Sequence, residues 1–254
     1  MKLRFLMLLI FCYDKSLVRG IAKEMDIPVP EAFFIKAEDS TFDLPIGFPV
    51  IVKPNFGDSS FGITQRSVAY SVEQLVNAIS EIREKFGYEK PVLVEEFLTG
   101  TDFTVGIIGN PPESYTVLPI IQEDYSALPP ELPRLCGYEA KWMPDSPYWQ
   151  IKSVPANLPD DVEKFVVECC LKLFERLECR DYSRFDWRID AQGNPKILEV
   201  NPNPGWCWDG HMAKMSKIAG LSYSQMLGEI LHAAEERLSS QLPTDKDSAN
   251  DAPC

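Results

Sequence analysis

Two strand-like segments near the end of the chain constrain the fold more than any other feature. Residues 183–190 and 196–201 flank the short turn Ala191–Pro195, so they are expected to pair as an antiparallel hairpin. Alternate side chains of a strand lie on the same face of its sheet. The hairpin therefore predicts one surface that gathers a guanidinium, two carboxylates and an amide: Arg184, Asp186, Glu199 and Asn201.

This surface suits a hard cation. Mg²⁺ takes one or two carboxylates and completes its shell with water and phosphate oxygens. We interpret Asp186, Glu199 and Asn201 as metal ligands on this basis. The alternative is a solvated sheet face with an ordinary ion pair. Under either interpretation, Leu198 and Val200 are expected on the buried face of the second strand.

The rest of the chain alternates between helices and mostly antiparallel strands, which favours an α+β fold over a doubly wound parallel sheet. Apolar spacing predicts helices at residues 16–25, 71–86, 160–177 and 222–238. Short apolar runs predict strands at residues 32–35, 49–54, 91–98, 103–108 and 115–121, with the last two as an antiparallel pair. Residues 122–152 are expected to form a loop that serves as a lid or a binding loop, and residues 239–254 a disordered tail.

The composition excludes several classes of protein. A formal net charge of −13 makes nucleic acids and anionic membranes poor partners, because the protein repels phosphate. The seven cysteines are irregularly spaced without a CxxC pair, and only two histidines are present, so neither a structural zinc site nor a histidine-rich metal site is expected. Reduced cysteines predict a cytoplasmic protein.

The first twelve residues allow three interpretations. Met1–Cys12 has a basic start and a short apolar run, as in a secretory leader. The run is too short to span a bilayer, which takes about 20 apolar residues. The segment is otherwise expected to be a buried strand or helix, or the remainder of a missing upstream domain.

A candidate phosphate site precedes the hairpin. Lys53 ends an apolar strand before the Gly/Ser loop 55–62, where small residues let backbone N–H groups approach an anion. The loop is not a Walker motif, and an ordinary turn is the alternative. A second lysine, Lys141, lies in the predicted lid. Backbone near 94–98 is suited to an adenine edge and Asp102 to ribose hydroxyls, unless this segment is a charged edge strand.

Five segments, in this order, resemble the ATP-grasp motifs of D-alanine–D-alanine ligases. They are Phe48–Pro54, Val94–Leu98 with Gly100–Thr104, Tyr138–Lys141, Ser183–Asp186 and Leu198–Asn201. The resemblance covers about residues 14–238. It implies an ATP-grasp fold in which two α+β subdomains with mostly antiparallel sheets, residues 14–100 and 101–238, clasp ATP between them. Residues 1–13 are then expected to be the stump of a missing N-terminal domain or a leader.

The resemblance also implies roles for individual residues. The residues expected to bind ATP are Lys15, Lys53, Ser59, Ser60, Glu95, Glu96, Phe97, Leu98, Asp102 and Lys141. The residues expected to hold two Mg²⁺ ions, with Mn²⁺ as a substitute, are Asp186, Glu199 and Asn201. The residues expected to take part in catalysis are Arg184, Lys141 and Ser59, and the backbone of Gly205 would face the second substrate.

The implied activity is carboxylate–amine ligation of small molecules. A carboxylate attacks the γ-phosphorus of ATP, and an amine then attacks the resulting acyl phosphate while Arg184 stabilises the oxyanion. One alternative is a non-catalytic or partner-dependent ATP-binding module that has lost its N-terminal substrate domain. A kinase-type use of the same fold is another. A homodimer or a separate chain is expected to supply the missing domain.

Two positions depart from the pattern of the peptide-forming ligases. Trp142 stands where those enzymes have a tyrosine. The segment Trp206–Gly210 replaces a serine that binds the carboxylate of the second substrate. Its two tryptophans and its aspartate favour a larger, less anionic or cationic second substrate, unless the tryptophans only cap the core.

Overall fold

A computed structural model describes residues 12–39, 43–57 and 60–240. The described chain contains six α-helices: α1 (Lys15–Glu24), α2 (Val72–Phe86), α3 (Tyr138–Trp142), α4 (Asp160–Arg176), α5 (His211–Ile218) and α6 (Tyr223–Ser240). Ten strands accompany them: β1 (Ala32–Ile35), β2 (Val50–Pro54), β3 (Val68–Ala69), β4 (Val92–Glu96), β5 (Asp102–Asn110), β6 (Ser114–Val117), β7 (Ile121–Asp124), β8 (Lys152–Pro155), β9 (Tyr182–Ile189) and β10 (Pro195–Asn201). The fold is α+β, as the sequence predicts.

The first sheet has four strands in the order β1-β4-β2-β3, all antiparallel. Helix α2 packs on one face, where Leu75 and Ile79 meet Val52 and Val94 in one apolar cluster. Ser71 caps this helix by accepting a hydrogen bond from Gln74 N at 3.3 Å. The central strands β2 and β4 are apolar over Val50–Val52 and Val92–Val94, and their charged residues follow at the end of each strand.

The second sheet has six strands in the order β10-β9-β5-β7-β8, with β6 paired to the far end of β5. All of its pairings are antiparallel. Helices α1 and α4 cover one face, where Phe103, Phe185 and Trp187 are buried against Val18 and Leu173. The opposite face carries polar side chains at alternate positions of β9 and β5 and is covered only at one end, by α5 and α6.

The predicted hairpin is present. Strands β9 and β10 pair over 184–189 and 195–201, which places Asp186 opposite Glu199 and Arg184 opposite Asn201. The neighbouring strand places Thr104 opposite Asp186. The four helices predicted from apolar spacing are confirmed to within two residues at each end.

Three predictions about the middle and end of the chain are corrected. Residues 115–121 form two strands, β6 and β7, because Pro119 cannot donate to a ladder and interrupts them. Residues 122–152 are not a structureless loop: they contain most of β7, helix α3 and a short 3₁₀ helix at Pro147–Gln150, and β8 begins at Lys152. Residues 239–240 belong to α6, while the rest of the predicted tail lies outside the described residues.

The predictions for Met1–Cys12 concern residues that lie, apart from Cys12, outside the described part of the chain. Among the described helices, none is both long and apolar enough to cross a bilayer.

Candidate active site

A cleft lies between the two sheets. It contains about 920 Å³ of space, part of it open to solvent. Lys53 and Glu95 line it from the first sheet, Arg184 and Asp186 from the second, and Lys15 from the start of α1. Charged residues predicted from three separate parts of the sequence therefore converge on one cavity.

The polar face of the β9–β10 hairpin forms a tight cluster. Arg184 donates to both oxygens of Asp186, with Nε at 2.9 Å from Oδ1 and Nη2 at 2.7 Å from Oδ2. Asn201 Nδ2 donates to Asp186 Oδ2 at 3.0 Å and to Glu199 Oε1 at 2.9 Å. Thr104 Oγ1 donates to Asp186 Oδ1 at 3.0 Å. Burial raises the pKa of Asp186, but the charge and hydrogen bonds of Arg184 outweigh it and leave the pKa below its usual value.

The prediction that Leu198 lies on the buried face is wrong, because β10 contains a β-bulge at this residue. The register of β10 against β9 shifts between Ile197 and Glu199. Ile197 and Val200 are buried in the core, whereas Leu198 is half-buried and lines the cleft beside Glu199. A bulge places two successive residues of one strand opposite a single partner and so interrupts the alternation of faces. Strict alternation could not anticipate this.

The donor set of the cluster fits a magnesium ion. Among the described residues, no three His, Cys, Asp or Glu side chains converge as a metal cluster, so the protein offers two carboxylates and one amide. Mg²⁺ is commonly held by one or two carboxylates together with substrate phosphates. The side-chain NH2 group of Asn201 donates to both carboxylates, so its side-chain carbonyl oxygen is the atom that could bind a cation.

Glu95 lies at the centre of a buried triad on the opposite wall. Its side chain is 2% exposed and pairs with Arg19, Nη1 to Oε1 at 2.8 Å, and with Lys53. Burial raises the pKa of Glu95, but the charges of Lys53 and Arg19 outweigh it and keep the pKa below 4.5. Both carboxylate oxygens are thus engaged, and Glu95 fixes Lys53 at the mouth of the cleft.

Replacing Glu95 with alanine is expected to destabilise the fold strongly. The change leaves two buried cations, Arg19 and Lys53, without their carboxylate partner, at a cost of about 3–5 kcal/mol. Urea denaturation at neutral pH measures this loss. The effect depends on pH: a lowered pKa means that the stabilisation is complete above about pH 4.5 and is lost as pH falls through the folded value.

Glu81→Ala is the matched control, because Glu81 pairs with the exposed Arg66 on the surface. Such pairs contribute less than about 1 kcal/mol. Equal losses of unfolding free energy in the two variants would show that the triad is no more important than a surface ion pair.

Lys15 reaches the same cleft from the start of α1. Its Nζ donates to Gly57 O at 2.6 Å and lies 3.9 Å from Glu199 Oε2. Asp14 caps the helix by accepting from Ser16 N, at 2.9 Å, and from Leu17 N. Lys15 therefore joins the loop after β2 to the carboxylate cluster of the hairpin.

The predicted lid lies against the Gly/Ser loop. Lys141 Nζ donates to Ser60 Oγ at 2.8 Å, and Tyr138 N donates to Ile63 O at 2.7 Å. Buried Glu139 accepts from Gln65 N at 3.0 Å. These contacts hold Ser60 and Lys141 together at the edge of the cleft. Ser59, predicted as a partner of ATP and a catalytic residue, lies outside the described residues.

Gly137 sets the distance between the lid and the loop. A Cβ atom at this position would lie 2.7 Å from Ile63 O. Gly137→Ala is therefore expected to push the lid away, to cost roughly 1–3 kcal/mol of stability and to raise the KM for ATP. Gly47→Ala is the control, because nothing lies within 4 Å of its Cβ position. Equal denaturation midpoints and KM values for both variants would contradict this account.

The remaining predicted nucleotide contacts lie at the other end of the cleft. Asp102 is bound by Arg188 Nη1 at 3.2 Å and by the Tyr125 hydroxyl. Burial raises the pKa of Asp102 more than these partners lower it. Phe97 lies under the Arg188 guanidinium, 4.8 Å from ring centroid to Cζ. Glu96 pairs with Lys196, and Leu98 lines the same region.

Several residues of the site escaped the sequence analysis. In the sequence, Arg19 is a basic residue of a predicted helix, and Thr104 and Arg188 are polar residues of predicted strands. Their contacts join segments that are distant in the chain, so they become visible only in the folded structure. Arg188 had one available signal, because it continues the alternation of Arg184 and Asp186 along β9.

Comparisons with known proteins identify the family of this chain. The family described as "D-ala D-ala ligase C-terminus" matches residues 21–232. The chain belongs to the D-Ala–D-Ala ligase C-terminal family. It is 31% identical over 225 residues to the uncharacterized protein y4sG of Sinorhizobium fredii, covering 88% of this chain and 63% of that protein. It is 28% identical over 226 residues to a D-alanine–D-alanine ligase of Bacillus anthracis, covering 88% and 67%.

Solved structures of this family share the fold. The D-alanine–D-alanine ligase of Bacillus anthracis complexed with ATP matches with a TM-score of 0.68 at 23% identity, covering 91% of this chain and 68% of that chain. The VanG D-Ala:D-Ser ligase of Enterococcus faecalis matches with a TM-score of 0.65 at 24% identity, covering 88% and 62%. The described chain is thus an ATP-grasp fold that spans about two thirds of the length of these relatives.

The two departures from the ligase pattern lie at the surface of this family member. Trp142 is 58% exposed at the end of α3, and Trp208 is 76% exposed. Trp206 packs edge-on against Tyr182, with ring centroids 5.8 Å apart, and its indole N–H donates to the Tyr182 hydroxyl. Trp206 therefore holds the loop after β10 against Tyr182, whereas the side chain of Trp208 is mostly exposed to solvent.

Proposed function

We propose that this protein is an ATP- and Mg²⁺-dependent carboxylate–amine ligase that works through an acyl phosphate. The observation that carries the proposal is the meeting of opposite charges across one cleft. Lys15, Lys53 and Lys141 converge from one side, and the Asp186–Glu199 cluster with Arg184 converges from the other. Cations for phosphate and oxygen ligands for a metal are the parts that phosphoryl transfer requires.

Each group has a distinct role in the proposed reaction. Lys53, fixed by Glu95, and Lys141, held at Ser60, bind the phosphates of ATP and neutralise charge on the transferred group. Asp186, Glu199 and Asn201 would hold a Mg²⁺ ion, which would supply positive charge against the phosphoryl oxygens. The substrate carboxylate attacks the γ-phosphorus and releases ADP. Arg184 then stabilises the oxyanion that develops when the amine attacks the acyl carbon.

The lid protects the intermediate. An acyl phosphate is open to hydrolysis, so the cleft must exclude water while the amine arrives. The bonds from Tyr138 N to Ile63 O and from Lys141 to Ser60 already join the lid to the loop in this structure. Asp102 and the backbone near Leu98 are proposed to bind the ribose and the adenine.

The substrates are proposed to be small molecules, an amino-acid-like carboxylate and an amine. Similar proteins named D-alanine–D-alanine ligase support this substrate class. The alternative function is a non-catalytic or partner-dependent ATP-binding module, and a melting shift without turnover would favour it.

Two measurements test the proposal in sequence. The first is the melting temperature of the protein with and without nucleotide. Mg-ATP is expected to raise it, and ATP with excess EDTA is expected to raise it less. ADP release is then measured across a panel of amino acids and amines, with product analysis. ADP with an amide establishes a ligase, and ADP with a stable phosphorylated product indicates a kinase. A melting shift without turnover supports the binding module, and the absence of any shift would overturn the proposal.

A further inference from the structure

One carboxylate in the cleft has a partner unlike that of all the others. Six carboxylates of the described residues line the cleft: Glu95, Glu96, Asp102, Glu123, Asp186 and Glu199. Five of them pair with lysine or arginine side chains, which stay charged at neutral pH. Glu123 alone pairs with a histidine, His211.

The geometry of this pair orients the imidazole. Glu123 Oε1 lies 3.0 Å from His211 Nε2, and the Glu123 carboxylate also accepts from Ser153 Oγ at 3.2 Å and 3.3 Å. The Glu123 side chain is 8% exposed. With the Nε2–H group bound to Glu123, the lone pair of Nδ1 makes no hydrogen bond to the described residues and can accept a proton.

The pair lies in the same cleft as the groups of the proposed reaction. His211 is the first residue of α5, which follows the loop after β10, and it lines the same cleft as Arg184 and Asp186. Lys214, one turn along α5, donates to Ser153 Oγ at 3.3 Å. Ser153 in turn donates to Glu123, so Lys214 helps to hold the Glu123 carboxylate in place.

The proposed reaction needs such a group. An alkyl amine is an ammonium ion at neutral pH, and it must lose a proton before its nitrogen can attack the acyl carbon. The other carboxylates of the cleft are engaged by permanent cations. A carboxylate that holds one nitrogen of an imidazole leaves the other nitrogen in the correct tautomer to accept a proton.

We propose that His211 is the proton acceptor for the incoming amine and that Glu123 is its positioning residue; this rests on the ligase function proposed above. The ammonium gives one proton to His211 Nδ1. The freed lone pair forms the C–N bond, and the carbonyl π electrons move to the oxygen beside Arg184. Collapse of the intermediate breaks the C–O bond to phosphate, and the second nitrogen proton leaves to solvent with the phosphate.

Hydroxylamine separates this step from the rest of the reaction. It is uncharged at neutral pH, so it attacks an acyl phosphate without a proton acceptor and gives a hydroxamate. Hydroxamate formation is measured with D-alanine, or with whichever amino acid of a panel gives the highest wild-type yield. Amide formation is measured with the same carboxylate and with D-alanine, D-serine and concentrated methylamine as acceptors.

In His211→Gln, amide formation is expected to fall about 10²-fold while hydroxamate formation stays within about twofold of wild type. Glu123→Gln is expected to show the same selective loss, smaller in size, because it keeps a hydrogen bond to His211 but not the charge. His232→Gln is the control, since His232 is an exposed residue of α6 that pairs with Glu236. It is expected to match wild type in both assays.

The outcomes distinguish this inference from the proposed function. Absence of hydroxamate in the wild-type protein would overturn the ligase function itself. Wild-type hydroxamate formation without amide from any acceptor, or equal amide rates in His211→Gln and His232→Gln, would overturn the role of His211. A parallel fall of both products in His211→Gln would show a structural role and also overturn it.

Discussion

Glu199→Ala is expected to reduce ATP turnover by about 10³-fold or more. The change removes one of two carboxylates that face the phosphate end of the cleft, and a metal contributes several kcal/mol of charge stabilisation to phosphoryl transfer. It also removes one of the two acceptors of the Asn201 amide and the ion pairs with Lys15 and Arg184, so the remaining cluster has an excess of positive charge. ADP release at saturating Mg²⁺ measures the effect.

Glu235→Ala is the control for this variant, because Glu235 is exposed on α6, away from the cleft. Its turnover is expected to equal that of wild type. A magnesium titration adds a second observation, since Glu199→Ala should need much more Mg²⁺ to reach half of its own maximal rate. Wild-type turnover with an unchanged magnesium dependence would remove Glu199 from the proposed metal site.

Arg184→Ala is expected to slow ligation by about 10²–10³-fold, the scale of losing one donor to a developing oxyanion. Two hydrogen bonds to Asp186 hold Arg184 in place. Little free energy is therefore needed to orient its guanidinium when charge develops on the oxyanion. Burial lowers the pKa of Arg184, but the charge of Asp186 more than offsets this, so the group remains a cation throughout. Rates of amide formation measure the effect.

Arg184→Lys is expected to restore little of this activity, because an ammonium cannot donate to both oxygens of Asp186 as the planar guanidinium does. Arg176→Ala provides the control, since Arg176 makes a surface pair with Glu24. An unchanged rate in Arg184→Ala would remove this residue from the mechanism. A large fall in melting temperature in Arg184→Ala alone would show that it acts through folding.

The sequence allowed the hairpin and its polar face to be predicted because both depend on local rules. A five-residue turn pairs neighbouring strands, and a period of two sorts their side chains onto faces. The contact of Asp186 with Asn201 and Glu199 depends in addition on the bulge at Leu198, which shifts the register so that Glu199 lies opposite Asp186. The long helices were predictable for the same reason, since their apolar stripes depend only on nearby residues.

The contacts that fix the rest of the site join distant segments, and no local pattern records them. Arg19 meets Glu95 across 76 residues, and His211 meets Glu123 through a helix that the sequence analysis did not predict. The Leu198 bulge depends on how β10 fits its neighbour rather than on its own composition. Strand β8 was missed because its four residues pair with β7 across a long connection.

The most direct test of the central claim is the transfer of oxygen from the substrate carboxylate to phosphate. The reaction is run with an amino acid labelled with ¹⁸O in its carboxyl group, and the inorganic phosphate released is examined by mass spectrometry. An acyl phosphate predicts one ¹⁸O atom in each phosphate, because the attacking carboxylate oxygen leaves with phosphorus. Unlabelled phosphate released together with ADP would contradict carboxylate activation in this cleft.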